Sequence, residues 1–229
     1  MQCGLFGTGT PRIAATLDDS LRGVTRIELT DGAWLEHLPG WLEGHERVFH
    51  ELTREVTWKS ERRRMYEHEV DVPRLTARAP AGGPILALLR ELSGALSERY
   101  RCLLGSRELG SRELGSRELG SREEGLSEGR SPGIALAQYR DGRDSVAFHG
   151  DRVGRNAAES IVATVSVGAP RRFLMKPNAG GPSLSWALGW GDLFVMGGTC
   201  QRTWQHAVPK CAHAQPRISI IFRAEGSVR

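Results

Sequence analysis

SVAFHGD, residues 145–151, places a histidine and an aspartate two positions apart in an extended segment. Side chains at positions i and i+2 of a strand project to the same side, so His149 and Asp151 can meet at one ligand. An imidazole and a carboxylate are two of the three ligands of a 2-His-1-carboxylate site, which leaves open positions on Fe(II) for a co-substrate and dioxygen. Because H-x-D is a common tripeptide, the remaining parts of such a site must be found elsewhere in the chain.

A second histidine ligand has two candidates further along the chain. His206 lies in the segment Trp204 to Lys210, and His213 follows in a loop that ends at Pro216. A lone histidine is more often structural or exposed than a ligand, so the residue type by itself does not choose between them.

The segment RISIIFR, residues 217–223, predicts a strand with two arginines on one face. Arg217 and Arg223 share a side of that strand, while the apolar residues between them point to the other side and can pack into a core. A guanidinium binds a carboxylate through two parallel hydrogen bonds, which lysine cannot reproduce. Two fixed cations near a metal site therefore suit a dicarboxylate.

Taken together, these segments resemble the AlkB-like Fe(II)/2-oxoglutarate dioxygenases, which dealkylate nucleic-acid bases. Five segments carry the resemblance in order and spacing, which is far more specific than one motif. They are Val72–Thr76, residues 139–151, 191–198 and 204–210, and the arginine pair at 217 and 223. The resemblance covers most of residues 50–223 and favours His206 over His213, because Trp204, Val208, Pro209 and Lys210 are similar to the family's ligand segment.

The resemblance implies an α+β fold, mainly β, with a double-stranded β-helix (jelly roll) core and N-terminal helices packed outside. It implies Fe(II) as the metal and 2-oxoglutarate as the co-substrate. The implied ligands are His149, Asp151 and His206 for iron and Tyr139, Arg217 and Arg223 for 2-oxoglutarate.

The stretch from 58 to 78 mixes basic and aromatic residues, a composition typical of a nucleic-acid contact surface, although solvated charge would give the same pattern. The resemblance favours the contact surface, with Trp58 and Arg74 on the substrate side. This chain also departs from the family. Arg78 replaces an expected aromatic residue, and Ala137 replaces an Asn that helps hold the co-substrate. Residues 152–154, directly after Asp151, lack the acidic residue that some relatives have near the base. Either Gln138 compensates for Ala137 or co-substrate binding is weakened.

The resemblance implies oxidative demethylation of bases such as 1-methyladenine and 3-methylcytosine in single- or double-stranded DNA or in RNA. Succinate, CO2 and formaldehyde would be the products. Two alternatives remain at this point. An oxygenase of the same fold acting on a protein or a small molecule would share the metal and arginine residues, and a non-catalytic nucleic-acid binder would retain only the basic surface.

The 229 residues, 39% of them hydrophobic, suffice for one domain with a substantial core. A formal charge of +4 and a pI of about 9.1 fit a polyanionic partner without requiring one. Four scattered cysteines indicate reduced thiols, and no signal peptide or membrane span is evident. We therefore expect a cytoplasmic monomer without membrane contact.

Residues 21–223 are predicted to form the domain, after a loose leader at 1–20 and before a tail at 224–229. The domain is interrupted at 103–131 by repeats of GSREL, whose leucines would step around a helix by about 140° without forming a stripe. We interpret this segment as a flexible insert; a marginal helix or a tether for a partner are the alternatives.

Helices are expected at 41–53 and 84–100, and a helix or turn at 31–38. The strands are expected at 24–29, 134–139, 145–149, 161–167, 172–175, 183–188, 192–196 and 217–222.

Overall fold

The structure, a computed structural model, describes residues 13–18, 20–65, 68–100, 133–151 and 159–223, without the side chains of 61–71. The insert at 103–131 and the tail at 224–229 lie outside the described residues. The strands of the described part are β1 (Thr16–Leu17), β2 (Thr25–Glu28), β3 (Ala33–Leu38), β4 (Leu42–Glu43), β5 (Lys59–Met65), β6 (His68–Arg78), β7 (Gly133–Tyr139), β8 (Val146–His149), β9 (Val162–Gly168), β10 (Arg171–Pro177), β11 (Leu184–Leu188), β12 (Asp192–Gly198), β13 (Trp204–Val208) and β14 (Arg217–Arg223). The helices are α1 (His45–Glu55), α2 (Gly83–Arg99) and α3 (Cys200–Thr203).

Two antiparallel sheets form the body of the domain. The large sheet has the order β2-β3-β12-β9-β14-β7-β6-β5, and the small sheet has the order β11-β10-β13-β8. Side chains from both sheets, such as Phe173 of β10 and Phe194 of β12, share one apolar cluster between them. Sheets packed face to face in this way confirm the expected jelly roll.

The two longer helices cover the other face of the large sheet, as expected. All five apolar positions that predicted α2 are buried, in a cluster shared with strands β7, β9, β12 and β14. These positions are Ile85, Leu88, Leu89, Leu92 and Leu96. Each such side chain contributes roughly 1.5 to 3 kcal/mol on burial. On strand β14, Ile218, Ile220 and Phe222 join the same cluster. The alternation predicted for residues 217–223 therefore places Arg217 and Arg223 on the face between the sheets.

The expectation of a helix or turn at 31–38 is wrong for its longer part. Thr30–Gly32 forms a single 3-10 turn, and β3 then runs as a strand between β2 and β12. Nearly all of β3 is buried, so it lacks the alternation that marks a half-exposed strand, and strand pairing overrides local propensity. Gly197 of β12 lies under the Trp34 ring, where an added Cβ would overlap the indole.

The domain begins earlier than the expected boundary at residue 21. β1 pairs with β4, and the indole N–H of Trp41 donates a hydrogen bond of 2.8 Å to the Asp18 carbonyl. Ile13 and Leu17 pack against the larger core cluster. Residues from 13 onward that are described thus belong to the domain. No helix among the described residues has the length and apolar character needed to span a membrane.

Candidate metal centre

Two neighbouring strands of the small sheet bring the predicted metal ligands together. His149 at the end of β8 is the direct partner of His206 on β13, and their ring centroids lie 4.3 Å apart. Asp151 follows β8 by two residues, and its Oδ2 lies 3.6 Å from Nε2 of His206. The three candidate ligand atoms all lie within 4.8 Å of one another. The structure thus brings the three predicted ligands together, whereas His213 is exposed and outside this group.

Hydrogen bonds orient two of the three ligands. Nδ1 of His149 lies 2.8 Å from the Ala147 carbonyl, and this contact requires the proton on Nδ1 and leaves the Nε2 lone pair free for a metal. The backbone N–H of Asp151 donates to Oε1 of Gln201 over 2.8 Å, which fixes the loop after β8 to helix α3. Two imidazoles and one carboxylate form the donor set that suits Fe(II). The residues present therefore fit an iron ion.

His206 is held in its neutral form. Its ring stacks on Phe173 with centroids 5.5 Å apart, and the side chain is buried. Burial, partly offset by the nearby charge of Asp151, lowers the pKa of His206 to about 4. A neutral imidazole is the form that binds a metal, so His206 is ready to act as a ligand at neutral pH.

Arg217 lies at the inner end of the space between the sheets. It is fully buried, and its Nη2 donates a 2.6 Å hydrogen bond to Oγ of Ser166. Its Nε and Nη1 are buried and have no hydrogen-bond partner among the described residues. Burial lowers the pKa of Arg217 to about 10, so it remains charged at neutral pH. A buried cation with unpaired donors indicates a place for an anionic ligand.

Arg223 lies at the other end of the same strand face, beside the metal ligands. Its Nη1 is 3.4 Å from Oδ1 of Asp151, and its Nε is buried without a partner in the described part of the chain. The two arginines of β14 therefore occupy the same side of the sheet, one next to the triad and one deeper in the fold, as the spacing predicts.

Tyr139 and Arg74 join this arrangement from strands β7 and β6. Tyr139 is the ladder partner of Arg217, whose guanidinium carbon lies 5.5 Å from the tyrosine ring centroid. Nη1 of Arg74 is 3.4 Å from the hydroxyl oxygen of Tyr139. Both side chains thus lie with the arginines of β14 on the face between the sheets.

Trp58 lies apart from this group. It is half-buried and packs against the larger core cluster, on the helical face of the large sheet. The stretch predicted as a contact surface forms a hairpin of β5 and β6 at the edge of that sheet. The hairpin is joined to the start of β8, the strand that carries His149, because the N–H of Ser145 donates to the Pro73 carbonyl over 2.6 Å. Contact of Trp58 with a substrate stays a prediction.

The strand register shows that Gln138 does not compensate for the Asn that the family has at position 137. Ala137 pairs with Ser219 and Thr76 and shares the face of Tyr139 and Arg217, whereas Gln138 pairs with Ile218 on the opposite, helix-covered face. Gln138 therefore cannot replace an amide beside the co-substrate space. Ser219, the partner of Ala137 on β14, is also small and has no amide group. Neither residue of this pair therefore provides an amide on the face between the sheets.

Sequence reasoning missed residues that hold the site together. The buried guanidinium of Arg171 donates to the carbonyls of Asp141, Asp144 and Pro209 over 2.7, 2.9 and 3.1 Å. It thereby connects the turn before β8 to the loop after β13, and these two strands carry the ligands His149 and His206. Gln201 has the corresponding role for Asp151. Neither residue stands at a recognisable spacing from the ligands, so only the three-dimensional contacts could identify them.

Gly150 separates the two ligands that come from one segment. A Cβ at this position would lie 2.7 Å from the Gln201 carbonyl oxygen, a backbone atom that cannot rotate away. We expect Gly150→Ala to displace Asp151 and to weaken metal binding by about tenfold or more, as disturbed supporting contacts of metal sites do. The measurement is metal affinity by competition with a chelator.

Gly94→Ala is the matched control for this substitution. Nothing lies within 4 Å of an added Cβ at Gly94, which is exposed on helix α2. The control should leave metal affinity unchanged and stabilise the helix by up to about 1 kcal/mol. Unchanged metal affinity in Gly150→Ala would show that the loop can shift without moving the ligand.

Comparison with known proteins agrees with the geometry. The family model described as the 2OG-Fe(II) oxygenase superfamily matches residues 35–223. The chain is 37% identical over 95 residues to mouse (Mus musculus) alpha-ketoglutarate-dependent dioxygenase alkB homolog 3, covering 37% of this chain and 33% of the relative. It is 32% identical over 114 residues to the Arabidopsis thaliana DNA oxidative demethylase ALKBH2, covering 39% and 36%. The chain thus spans about a third of the length of these relatives.

A solved structure supports the fold. OsALKBH1 superposes with a TM-score of 0.52 at 14% identity, covering 88% of this chain and all of that structure. With a matched family model over most of the chain and a His-Asp-His triad between its sheets, the chain belongs to the 2OG-Fe(II) oxygenase superfamily.

Proposed function

We propose that this chain oxidatively demethylates N-alkylated bases in DNA or RNA, using Fe(II), 2-oxoglutarate and O2. The observation that carries the proposal is a set of three metal-ligating side chains together with Arg217, a fully buried arginine on the same face between the sheets whose Nε and Nη1 have no partner among the described residues. When bound, iron and 2-oxoglutarate supply the oxidation of the alkyl group, with succinate, CO2 and formaldehyde as products.

The described residues divide the remaining work between them. His149, Asp151 and His206 hold the ion, and the Gln201 contact keeps Asp151 in place. Arg217 binds a carboxylate of 2-oxoglutarate, with Tyr139 donating its hydroxyl beside it. The second arginine of the strand, Arg223, neutralises charge at the metal end, where it already lies next to Asp151.

The substrate assignment is supported by the hairpin of β5 and β6. It flanks the metal-bearing strand, and its base carries two exposed cations, Lys59 and Arg78. Arg78 pairs with Ala135, so it alternates onto the strand face that carries Tyr139. Phosphate contacts from such cations would be sequence-independent and would weaken as salt rises. The base itself must leave the stack to reach the metal, so flipping or a single-stranded substrate is expected.

Oligonucleotides containing 1-methyladenine or 3-methylcytosine should be demethylated, and single strands should react faster than duplexes. Exposing a base in a single strand requires no unpairing, a difference of a few kcal/mol. The measurement is mass spectrometry of the oligonucleotide for loss of CH2, with formaldehyde detected in parallel. The reaction contains Fe(II), ascorbate and 2-oxoglutarate.

Asp151→Ala serves as the inactive control in that experiment. Succinate formation that methylated DNA or RNA does not stimulate, with no loss of CH2, would contradict the proposal. That outcome would favour an oxygenase acting on a protein or a small molecule. Absence of both succinate formation and co-substrate binding would favour a non-catalytic nucleic-acid binder.

A further inference from the structure

Arg74 was expected from the sequence to contact the nucleic-acid substrate, but the structure places it against Tyr139, one of the residues predicted to bind the co-substrate. Nη1 of Arg74 is 3.4 Å from the Tyr139 hydroxyl, and the Tyr139 ring in turn lies under the guanidinium of Arg217. Tyr139 therefore stands between the two arginines. A carboxylate that accepts from the Tyr139 hydroxyl comes within reach of both cations.

The position of Arg74 on its strand leads to the same place. In the β6–β7 ladder Thr76 pairs with Ala137, so Arg74, two residues earlier, alternates onto the same face at the level of Tyr139. This is the face of Arg217, which pairs with Tyr139 from the other side.

Arg74 has hydrogen-bonding capacity that the described residues do not use. Its Nε is buried and has no partner in the described part of the chain. An unpaired buried donor on a charged group is costly, so an acceptor is expected there. From the neighbouring strand, Ala137 offers no polar group that could serve a ligand, and Gln138 faces away. A ligand carboxylate beside the Tyr139 hydroxyl would accept a hydrogen bond from Nε of Arg74. Arg74 would thereby supply the hydrogen-bond donor that an Asn at position 137 would otherwise provide.

We propose that Arg74 is a co-substrate-binding residue, which together with Tyr139 holds a carboxylate of 2-oxoglutarate in place of the amide absent at position 137. The proposal rests on the proposed function only in that 2-oxoglutarate is the co-substrate. Arg74 would then bind the co-substrate and not the nucleic acid. The two roles predict different defects, because loss of Arg74 would weaken 2-oxoglutarate binding in one case and oligonucleotide binding in the other.

The test measures two affinities on the Fe(II)-loaded protein under anaerobic conditions. Affinity for 2-oxoglutarate is followed by the metal-to-ligand absorption band, and affinity for a methylated single-stranded oligonucleotide by fluorescence anisotropy. Arg74→Ala should raise the Kd for 2-oxoglutarate by about 10- to 100-fold, the loss expected for a charged hydrogen bond. Its oligonucleotide Kd should stay within about twofold of wild type.

Arg78→Ala is the matched control, because Arg78 lies on the same strand and the same face but is exposed. It should leave the Kd for 2-oxoglutarate unchanged and raise the Kd for the oligonucleotide, which is the reverse of the result expected for Arg74→Ala. Ala137→Asn introduced into Arg74→Ala should restore part of the co-substrate affinity, since it returns an amide to the same face. A merely structural role for Arg74 would not be rescued in this way.

If Arg74→Ala does not fold, Arg74→Lys provides the same test, because it keeps the charge but loses the planar donor geometry. It should bind 2-oxoglutarate with intermediate affinity. A 2-oxoglutarate Kd within about twofold of wild type in folded Arg74 variants would overturn the inference, whatever happens to oligonucleotide binding. Failure of the part of the proposed function that the inference needs, 2-oxoglutarate as the co-substrate, looks different, because then wild type itself would show no 2-oxoglutarate band. Failure of the nucleic-acid part would appear as a wild type that binds 2-oxoglutarate but does not demethylate the oligonucleotide.

Discussion

Asp151→Ala and His206→Ala should each lose iron-dependent turnover by more than about 100-fold, since even outer contacts of a metal site are worth 10- to 100-fold. Each change removes one of three protein ligands, and the remaining two cannot hold Fe(II) in the geometry that the reaction needs. The fold should survive Asp151→Ala, because Asp151 contributes a carboxylate to the space between the sheets and belongs to neither apolar cluster.

Iron content after anaerobic reconstitution and succinate formation are the two measurements. His213→Ala is the control, since His213 is exposed and lies outside the triad. It should retain both iron and activity. An inactive His213→Ala beside an active His206→Ala would show that the ligand assignment is wrong.

Arg217→Ala should abolish 2-oxoglutarate binding at ordinary concentrations. The buried carboxylate would lose a fully buried cationic partner, and breaking such a pair costs about 2 to 5 kcal/mol, or roughly 30-fold or more in Kd. Arg217→Lys should recover only part of this affinity, because an ammonium group cannot form two parallel hydrogen bonds with a carboxylate.

An anaerobic titration of the Fe(II)-loaded variants with 2-oxoglutarate measures the effect. Arg172→Ala is the matched control, an exposed arginine on β10 whose Nε contacts only the Ser185 hydroxyl in the described structure. Its affinity for 2-oxoglutarate should equal that of wild type. Unchanged affinity in Arg217→Ala would mean that the co-substrate lies elsewhere between the sheets.

Local pattern predicted the elements that are amphipathic and the ligands that share a strand. Helix α2 follows from five apolar positions at helical spacing, and β14 from an alternation that separates its two arginines from three core residues. His149 and Asp151 meet because a strand repeats every two residues. These relations depend on neighbours along the chain, so the sequence contains them.

The hydrophobic pattern did not predict the strand whose two faces are both buried. β3 is enclosed by β2, β12 and the two apolar clusters, and its nearly continuous burial removed the periodicity by which a strand is recognised. The same lack of a local signal applies to β1, whose two residues are held by β4 and by the Trp41 contact with Asp18.

By itself the sequence determined the metal-ligand types, the shared face of Arg217 and Arg223, and, through its resemblance to a family, the fold and the choice of His206. Only the tertiary structure decided which side chains surround those residues. It placed Arg171 and Gln201 as supports, turned Gln138 away from the site, and brought Arg74 to Tyr139. The physical reason is that strand register and sheet packing join residues far apart in the chain, and their hydrogen bonds leave no periodic trace in the sequence.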